Sequence, residues 1–227
     1  MATTYLELVN IALRDINEVP MSTAGFNAPR GLQAAAKEFL NRAYADILNY
    51  SKEWPFLSET TDATLSVATV ALQQEYNVDV SLDHIDWDTF YITSDDLTYT
   101  SALPAIDIDF YIQHMKSYDQ GTDGGNPMFV YRLKSNDGFG LSPIPDDRGY
   151  TVTFKAWNKP TLLSAATDEI AFPERYYNVL VSRARYYMWL FRENDNQASL
   201  ALRDYESGIK QMHRDLVDKQ SIKMKAV

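Results

Sequence analysis

Apolar positions recur at steps of three and four at both ends of this chain and give way in the middle to short β-branched and aromatic runs. Leu6, Val9, Leu13 and Ile16 form the first stripe. With Thr3 or Thr4 available as an N-cap, they predict an amphipathic helix over residues 4–18 that Pro20 stops. The stretch INEVPMSTAGFNAP (residues 16–29) then breaks the period, and its Pro, Gly and small polar residues read as a loop. A second stripe, Leu32, Ala36, Phe39, Ala43, Ile47 and Tyr50, runs through an Ala-rich segment of high helix propensity. It is predicted to end at Trp54-Pro55, because the residue before proline is pushed out of helical geometry.

From about Phe56 to Pro160 the pattern is that of strands and turns. TLSVATVAL, EYNVDVS, DTFYITS, LTYTSAL, MFVYRLK and YTVTFKAW are short and separated by Asp, Gly, Asn and Pro. Within them Ile108, Ile112 and Met115 recur helically, which predicts one helix between Ala105 and Tyr118. After Pro160 the helical period returns. Pro173 suits a first turn, and Tyr176 or Tyr177, Leu180, Ala184, Tyr187 and Phe191 carry the stripe to Arg192. Asn194 or Asp195 caps a last helix, in which Leu202, Tyr205, Ile209, Met212 and Leu216 follow the spacing of a heptad seam. The final KQSIKMKAV carries no stripe and reads as a flexible tail.

Four amphipathic helices bury their stripes only against one another. The pattern therefore predicts an α+β fold: a discontinuous helical bundle from residues 1–55 and 161–219, a β-rich acidic region with one helix inserted at 56–160, and a tail at 220–227. Charge supports the division, since residues 58–125 hold 13 Asp or Glu against the single basic residue Lys116. Residues 166–227 are nearly neutral, with 10 Lys or Arg and 9 Asp or Glu.

The whole chain has 227 residues, 45% of them hydrophobic, enough to bury a core in one large domain or two small ones. Its formal net charge of -10 disfavours free nucleic acid and anionic membranes as partners. There is no Cys, which excludes disulfides and thiolate chemistry, and the three His are scattered. The N-terminus lacks a basic region followed by an apolar run, and no segment approaches the roughly 20 apolar residues of a membrane span, so neither export nor membrane insertion is expected.

Candidate chemistry is sparse. DHIDWD gathers Asp83, Asp86 and Asp88, but it lacks the glycine and terminal glutamate of a calcium loop and reads as a solvated acidic surface. TDGGNP (Thr122–Pro127) has glycines but no following Lys-Ser or Lys-Thr, so it reads as a turn rather than a phosphate loop. His84, His114 and His213 are too far apart to suggest a catalytic group, and no nucleophile elbow occurs. The reading is of a protein that is not an enzyme and has no metal or cofactor. More informative are Tyr176, Tyr177, Tyr186, Tyr187, Trp189 and Phe191, interleaved with Arg175, Arg183, Arg185 and Arg192. They cover more of one helix than a buried stripe needs, and Tyr, Trp and Arg are favoured at protein interfaces. Arg175, Arg183, Arg185, Trp189 and Arg192 are thus candidate subunit-interface residues.

Four blocks, in order, resemble the head-to-tail adaptors of short-tailed phages, the tail tubular protein A type. They are VNIALRDINEVP (Val9–Pro20), the Ala-rich helix closing in Trp54-Pro55-Phe56, LSPIPDDRGYTVTF (Leu141–Phe154) and LLSAATDEIAFPERYYNVLVSRARYYMWL (Leu162–Leu190). The family often has Gly before the Glu-x-Pro of the first loop; here Asn17, which also tolerates a left-handed helix end, takes its place. The resemblance implies a virion protein made in the host cytoplasm. It further implies a dodecameric ring that binds the portal protein above and the tail nozzle protein below, and passes DNA through its lumen without specific contact. On that reading Lys219, Ser221, Ile222, Lys223, Met224, Lys225 and Val227 bind the portal, the 16–29 loop touches neighbouring copies, and Asp83, Asp86 and Asp88 face the channel. The alternatives are a neck or tail-completion protein of a long-tailed phage, or a glycan-binding tail protein.

Overall fold

The computed structural model describes residues 3–58, 60, 63–78, 81–96, 99–117, 119, 124–133 and 138–217. Its elements are α1 (Tyr5–Asp15), α2 (Thr23–Asn27), α3 (Leu32–Tyr50), β1 (Thr64–Ala68), β2 (Glu75–Asn77), β3 (Leu82–Ser94), β4 (Thr100–Ala102), β5 (Ala105–Ile106), α4 (Ile108–His114), β6 (Phe129–Arg132), β7 (Gly138–Ser142), β8 (Tyr150–Asn158), α5 (Tyr177–Phe191) and α6 (Asp195–Leu216). The fold is α+β, with helices at both ends and the strands inserted between them. Two units result, Met1–Phe56 with Pro160–Val227, and Leu57–Lys159. The second carries 16 acidic and 6 basic residues and the first 15 of each, so the chain's entire net charge of -10 belongs to the strand-rich unit.

In the helical unit, α1 starts with all four of its leading amides satisfied. Tyr5 and Leu6 donate to the carbonyls of Asp168 (2.8 Å) and Ala166 (3.1 Å), Glu7 to the Thr4 hydroxyl (3.4 Å), and Leu8 to the Thr4 carbonyl (3.1 Å). The Thr4 amide donates in return to the Glu7 carboxylate at 2.9 Å, completing a capping box. The 164–168 turn that supplies the two carbonyls is itself held by the Asp168 carboxylate, which accepts from the amides of Ser164 (2.6 Å) and Ala165 (2.8 Å).

Those two backbone bonds hold the Asp168 carboxyl below the usual aspartate range. A depressed carboxylate contributes stability that is complete above its unfolded pKa, about 4, and is lost as the pH falls through the lowered value. Asp168→Asn is therefore expected to melt below the wild type at pH 7. Thermal melts between about pH 7 and pH 2 should show the two proteins converging at the acid end. A gap that stays constant would count against this role for the charge.

Helix α1 ends at Asp15, earlier than the predicted 18, and Pro20 is not what stops it. Asn17 adopts φ +59°, its amide bonding the Arg14 carbonyl (3.0 Å) while Glu18 bonds Leu13 (2.9 Å), a Schellman turn. The expected plain loop after it contains α2, capped by Ser22, which buries Phe26 edge-on to Tyr5. The Asn10 amide clasps the Met21 backbone through both its groups, at 2.9 and 2.7 Å.

Helix α3 ends at Tyr50, before the predicted Trp54-Pro55, and Trp54 folds back fully buried to donate to the Ile47 carbonyl (2.9 Å). Its buried face is Ala36, Leu40, Ala43, Tyr44, Ile47 and Leu48; Leu32 and Phe39 from the predicted stripe sit at the margin and Tyr50 is exposed. Asn41 pins the returning chain, exchanging two bonds with the Leu163 backbone at 3.0 and 3.1 Å. Helix α5 packs on α1, α3 and α6. It buries Val179, Leu180, Val181, Ala184, Tyr187 and Met188, whereas Phe191, placed in its predicted stripe, is exposed. Asn194 caps α6, whose seam of Tyr205, Ile209 and Met212 is buried as predicted, with Leu202 and Leu216 half-buried. At Gly208 an added Cβ would stand 2.8 Å from a Val179 methyl, so the glycine marks the close approach of α6 to α5.

In the strand-rich unit two four-stranded sheets, ordered β1-β8-β3-β4 and β2-β7-β6-β5, enclose one core. Phe90, Phe139 and Phe154 stand at its centre, Phe90 stacked on Phe154 at 4.5 Å and meeting Phe139 edge-on at 5.4 Å. The sequence pattern misses β5 and β7. Predicted helix 105–118 reduces to α4, and its buried residue is Tyr111 rather than Ile112, which is exposed. Tyr111 lies on Tyr131 (4.2 Å), whose ring covers Gly140 in β7 where a Cβ would collide with it.

Candidate subunit interface on the C-terminal helices

Helix α5 carries most of the predicted interface residues, and the structure ties most of them inside the subunit. Arg183 donates Nε to the Asp46 carboxylate at 2.7 Å, and the Tyr187 hydroxyl donates to the same oxygen. The guanidinium also lies over the rings of Tyr186 (5.0 Å), Tyr187 (4.8 Å) and Tyr205 (4.8 Å), linking α3, α5 and α6. Arg42 also lies over the Tyr187 ring, 4.4 Å from its centre. Burial works against the charge on Arg183, but the Asp46 bond outweighs it and its pKa rises. Burial and the shared Asp46 bond likewise raise the Tyr187 hydroxyl. Both shifts keep Arg183 charged and the Tyr187 hydroxyl neutral across physiological pH.

Arg192 binds the C-terminal end of α1, donating to the Ile16 carbonyl at 3.0 Å and pairing with the Glu18 carboxylate. It does so from an α5 end of the same design as α1's: Glu193 has φ +56°, and the amides of Glu193 and Asn194 bond Leu190 (3.0 Å) and Trp189 (2.9 Å). Two turns earlier Arg185 pairs with Asp15 at 3.7 Å. Arg185 Nε and Trp189 Nε1 are both buried without an acceptor. Arg175, beside the Tyr176 ring, is exposed.

Asp46, Arg42 and Tyr205 escaped the sequence reading as partners, because Asp46 and Arg183 lie 137 residues apart and no local pattern joins them. The exposed apolar side chains Val19, Leu162, Leu190 and Leu200 in this unit escaped it too, whereas Phe191, also exposed, was named among its aromatics.

Asp83, Asp86 and Asp88 lie within β3, which starts six residues before the predicted run DTFYITS. Asp83 and Asp88 are exposed; Asp86 is half-buried, faces Lys155 across the sheet and accepts the Asp88 amide at 3.2 Å. Among the described residues no group of three His, Asp or Glu could hold a metal ion, and no helix is long and apolar enough to cross a membrane. Lys219, Ser221, Ile222, Lys223, Met224, Lys225 and Val227 lie outside the described residues.

The family model for the SU10 adaptor protein matches residues 3–224, nearly the whole chain and both of its units. This chain belongs to the SU10 adaptor protein family. It is a structural adaptor of a phage, a component of the virion. No curated protein matches it. The internal ties of Arg183 and Arg192 give this adaptor a braced helical unit, with Arg175 and the exposed apolar residues at its surface.

Proposed function

We propose that this adaptor assembles as a dodecameric ring between the portal and the tail nozzle of a short-tailed phage and passes the genome through its lumen. The match to the adaptor family across residues 3–224 carries the reading. The charge division supports it: a neutral helical unit meets protein partners, while the unit holding the net charge of -10 faces DNA. Like charge keeps a passing duplex from adhering, over a screening length of about 8–10 Å at cellular salt. Asp83, Asp86 and Asp88 belong to that channel surface, and the loop that holds α2 touches the next copy. Arg175, Arg183, Arg185, Trp189 and Arg192 line the subunit contact, as their Arg and Trp composition favours.

Lys219, Lys223 and Lys225 meet acidic portal surface while Ser221, Ile222, Met224 and Val227 fill its grooves. Native mass spectrometry of purified portal rings before and after mixing tests this. A saturating gain of one adaptor per portal subunit is expected, and a chain lacking residues 221–227 should keep the wild-type melting temperature but add no mass. No gain with competent portals would overturn the proposal.

A further inference from the structure

We infer that neighbouring copies join by strand addition, the β4 edge of one subunit pairing with the β1 edge of the next; this rests on the ring reading above. Strands β1 and β4 are the two edges of one sheet. The two longest runs without a charged residue in the strand-rich unit, 63–74 and 97–106, contain these two strands. Asp62 and Glu75 bound the first, and Asp96 and Asp107 the second. In a unit of net charge -10, copies approach with least repulsion at these edges.

The backbone pattern matches. Bonds from Thr69 to Tyr150 and from Ala156 to Ala63 set one parity of β1 against β8, so Ser66 and Ala68 turn their amides and carbonyls to the open edge. In the same way Ser94 to Tyr99 and Leu103 to Phe90 set β4 against β3 and turn Thr100 and Ala102 outward. All four of these residues are exposed. The flanks are closed, the Thr64 carbonyl by the Thr60 hydroxyl (3.0 Å) and the Val70 amide by the Tyr76 hydroxyl (3.2 Å), while the Ala102 carbonyl accepts from the Ser101 hydroxyl (3.1 Å) and keeps its second lone pair for the edge. What stays open is a short ladder, with none of the lysine or proline that guards a sheet edge within either strand.

Topology decides the occupant. All pairings in this sheet are antiparallel and its strands are even in number, so its two edges run in opposite directions. A copy rotated about a ring axis, without being turned over, therefore brings β4 antiparallel to the next β1. That is the head-to-tail contact a closed ring requires. One register sets Ser66 against Ala102 and Ala68 against Thr100. Strands this short pair weakly, which suits a contact that forms between copies already gathered on a portal.

The chain has no cysteine, so thiols can be placed at will. Ser66→Cys with Ala102→Cys, and Ser66→Cys with Thr100→Cys, would be assembled on portal rings, weighed by native mass spectrometry, and treated with a short thiol crosslinker. A denaturing gel should show a ladder of covalent multimers from at least one double variant and only monomers from each single variant. Rings of full mass without a ladder would overturn the strand addition and leave the ring reading standing; no added mass would remove both. Ala68→Pro gives an independent reading, since it deletes an amide that points to the open edge, a position where proline is tolerated. It should melt like the wild type and form rings with roughly tenfold weaker affinity. Unchanged affinity would count against the pairing.

Discussion

Phe90→Ala is expected to cost about 3–5 kcal/mol of stability, the most severe effect of any single truncation considered for this chain. Phe90 is 2% exposed and its ring meets three others, Trp87 at 5.1 Å, Phe154 at 4.5 Å and Phe139 at 5.4 Å. Two of these partners sit on β8 and β7, in different sheets, so the ring fills the space between the two layers. Alanine would leave a cavity that stacked aromatic neighbours cannot collapse into without leaving their rotamers. Domains have only about 5–15 kcal/mol in hand, so a large part of the margin would go. Equilibrium unfolding in urea, followed by tryptophan fluorescence, checks this; a loss below about 1 kcal/mol would mean that the two sheets re-pack freely.

Asp46→Ala is expected to cost about 2 kcal/mol in the helical unit. It strands the Arg183 guanidinium and the Tyr187 hydroxyl, which share one oxygen of the carboxylate. A fully buried pair would lose more, but the side chains of Arg183 and Asp46 are 19% and 30% exposed, and water reaches the site. Asp46→Asn keeps an acceptor and should lose about half as much. Equal losses for the two variants, measured by denaturant midpoint, would show that packing rather than hydrogen bonding holds α3 to α5.

The helical period was legible where a helix presents one apolar face. Tyr205, Ile209 and Met212 are buried in α6 at the positions the heptad pattern gives them. In α3 the phase shifted, because alanines at 34, 35, 36, 43 and 45 offer apolar positions on several faces and leave Phe39 and Leu40 equally eligible. Leu40 is buried; Phe39 instead stacks on Tyr187 at the margin. Strand β7 was invisible because Gly138 and Gly140 carry no strand propensity. Their reason for being there is tertiary, since a Cβ at either would strike the Tyr76 carbonyl or the Tyr131 ring. The interface reading rested on composition, and Tyr and Arg serve an internal cation–π stack as readily as an external contact. Nothing local to Arg183 in the sequence says which of the two it makes.

Trp54 and Leu163 flank the inserted strands, and both are fastened to α3, through Ile47 and Asn41. The helical unit therefore acts as a chassis that closes its own seams on either side of the cargo it carries. The inserted unit can be lengthened, shortened or exchanged for another while the host remains intact, so lineages that share this bundle are free to fit different inserted units to the same mount.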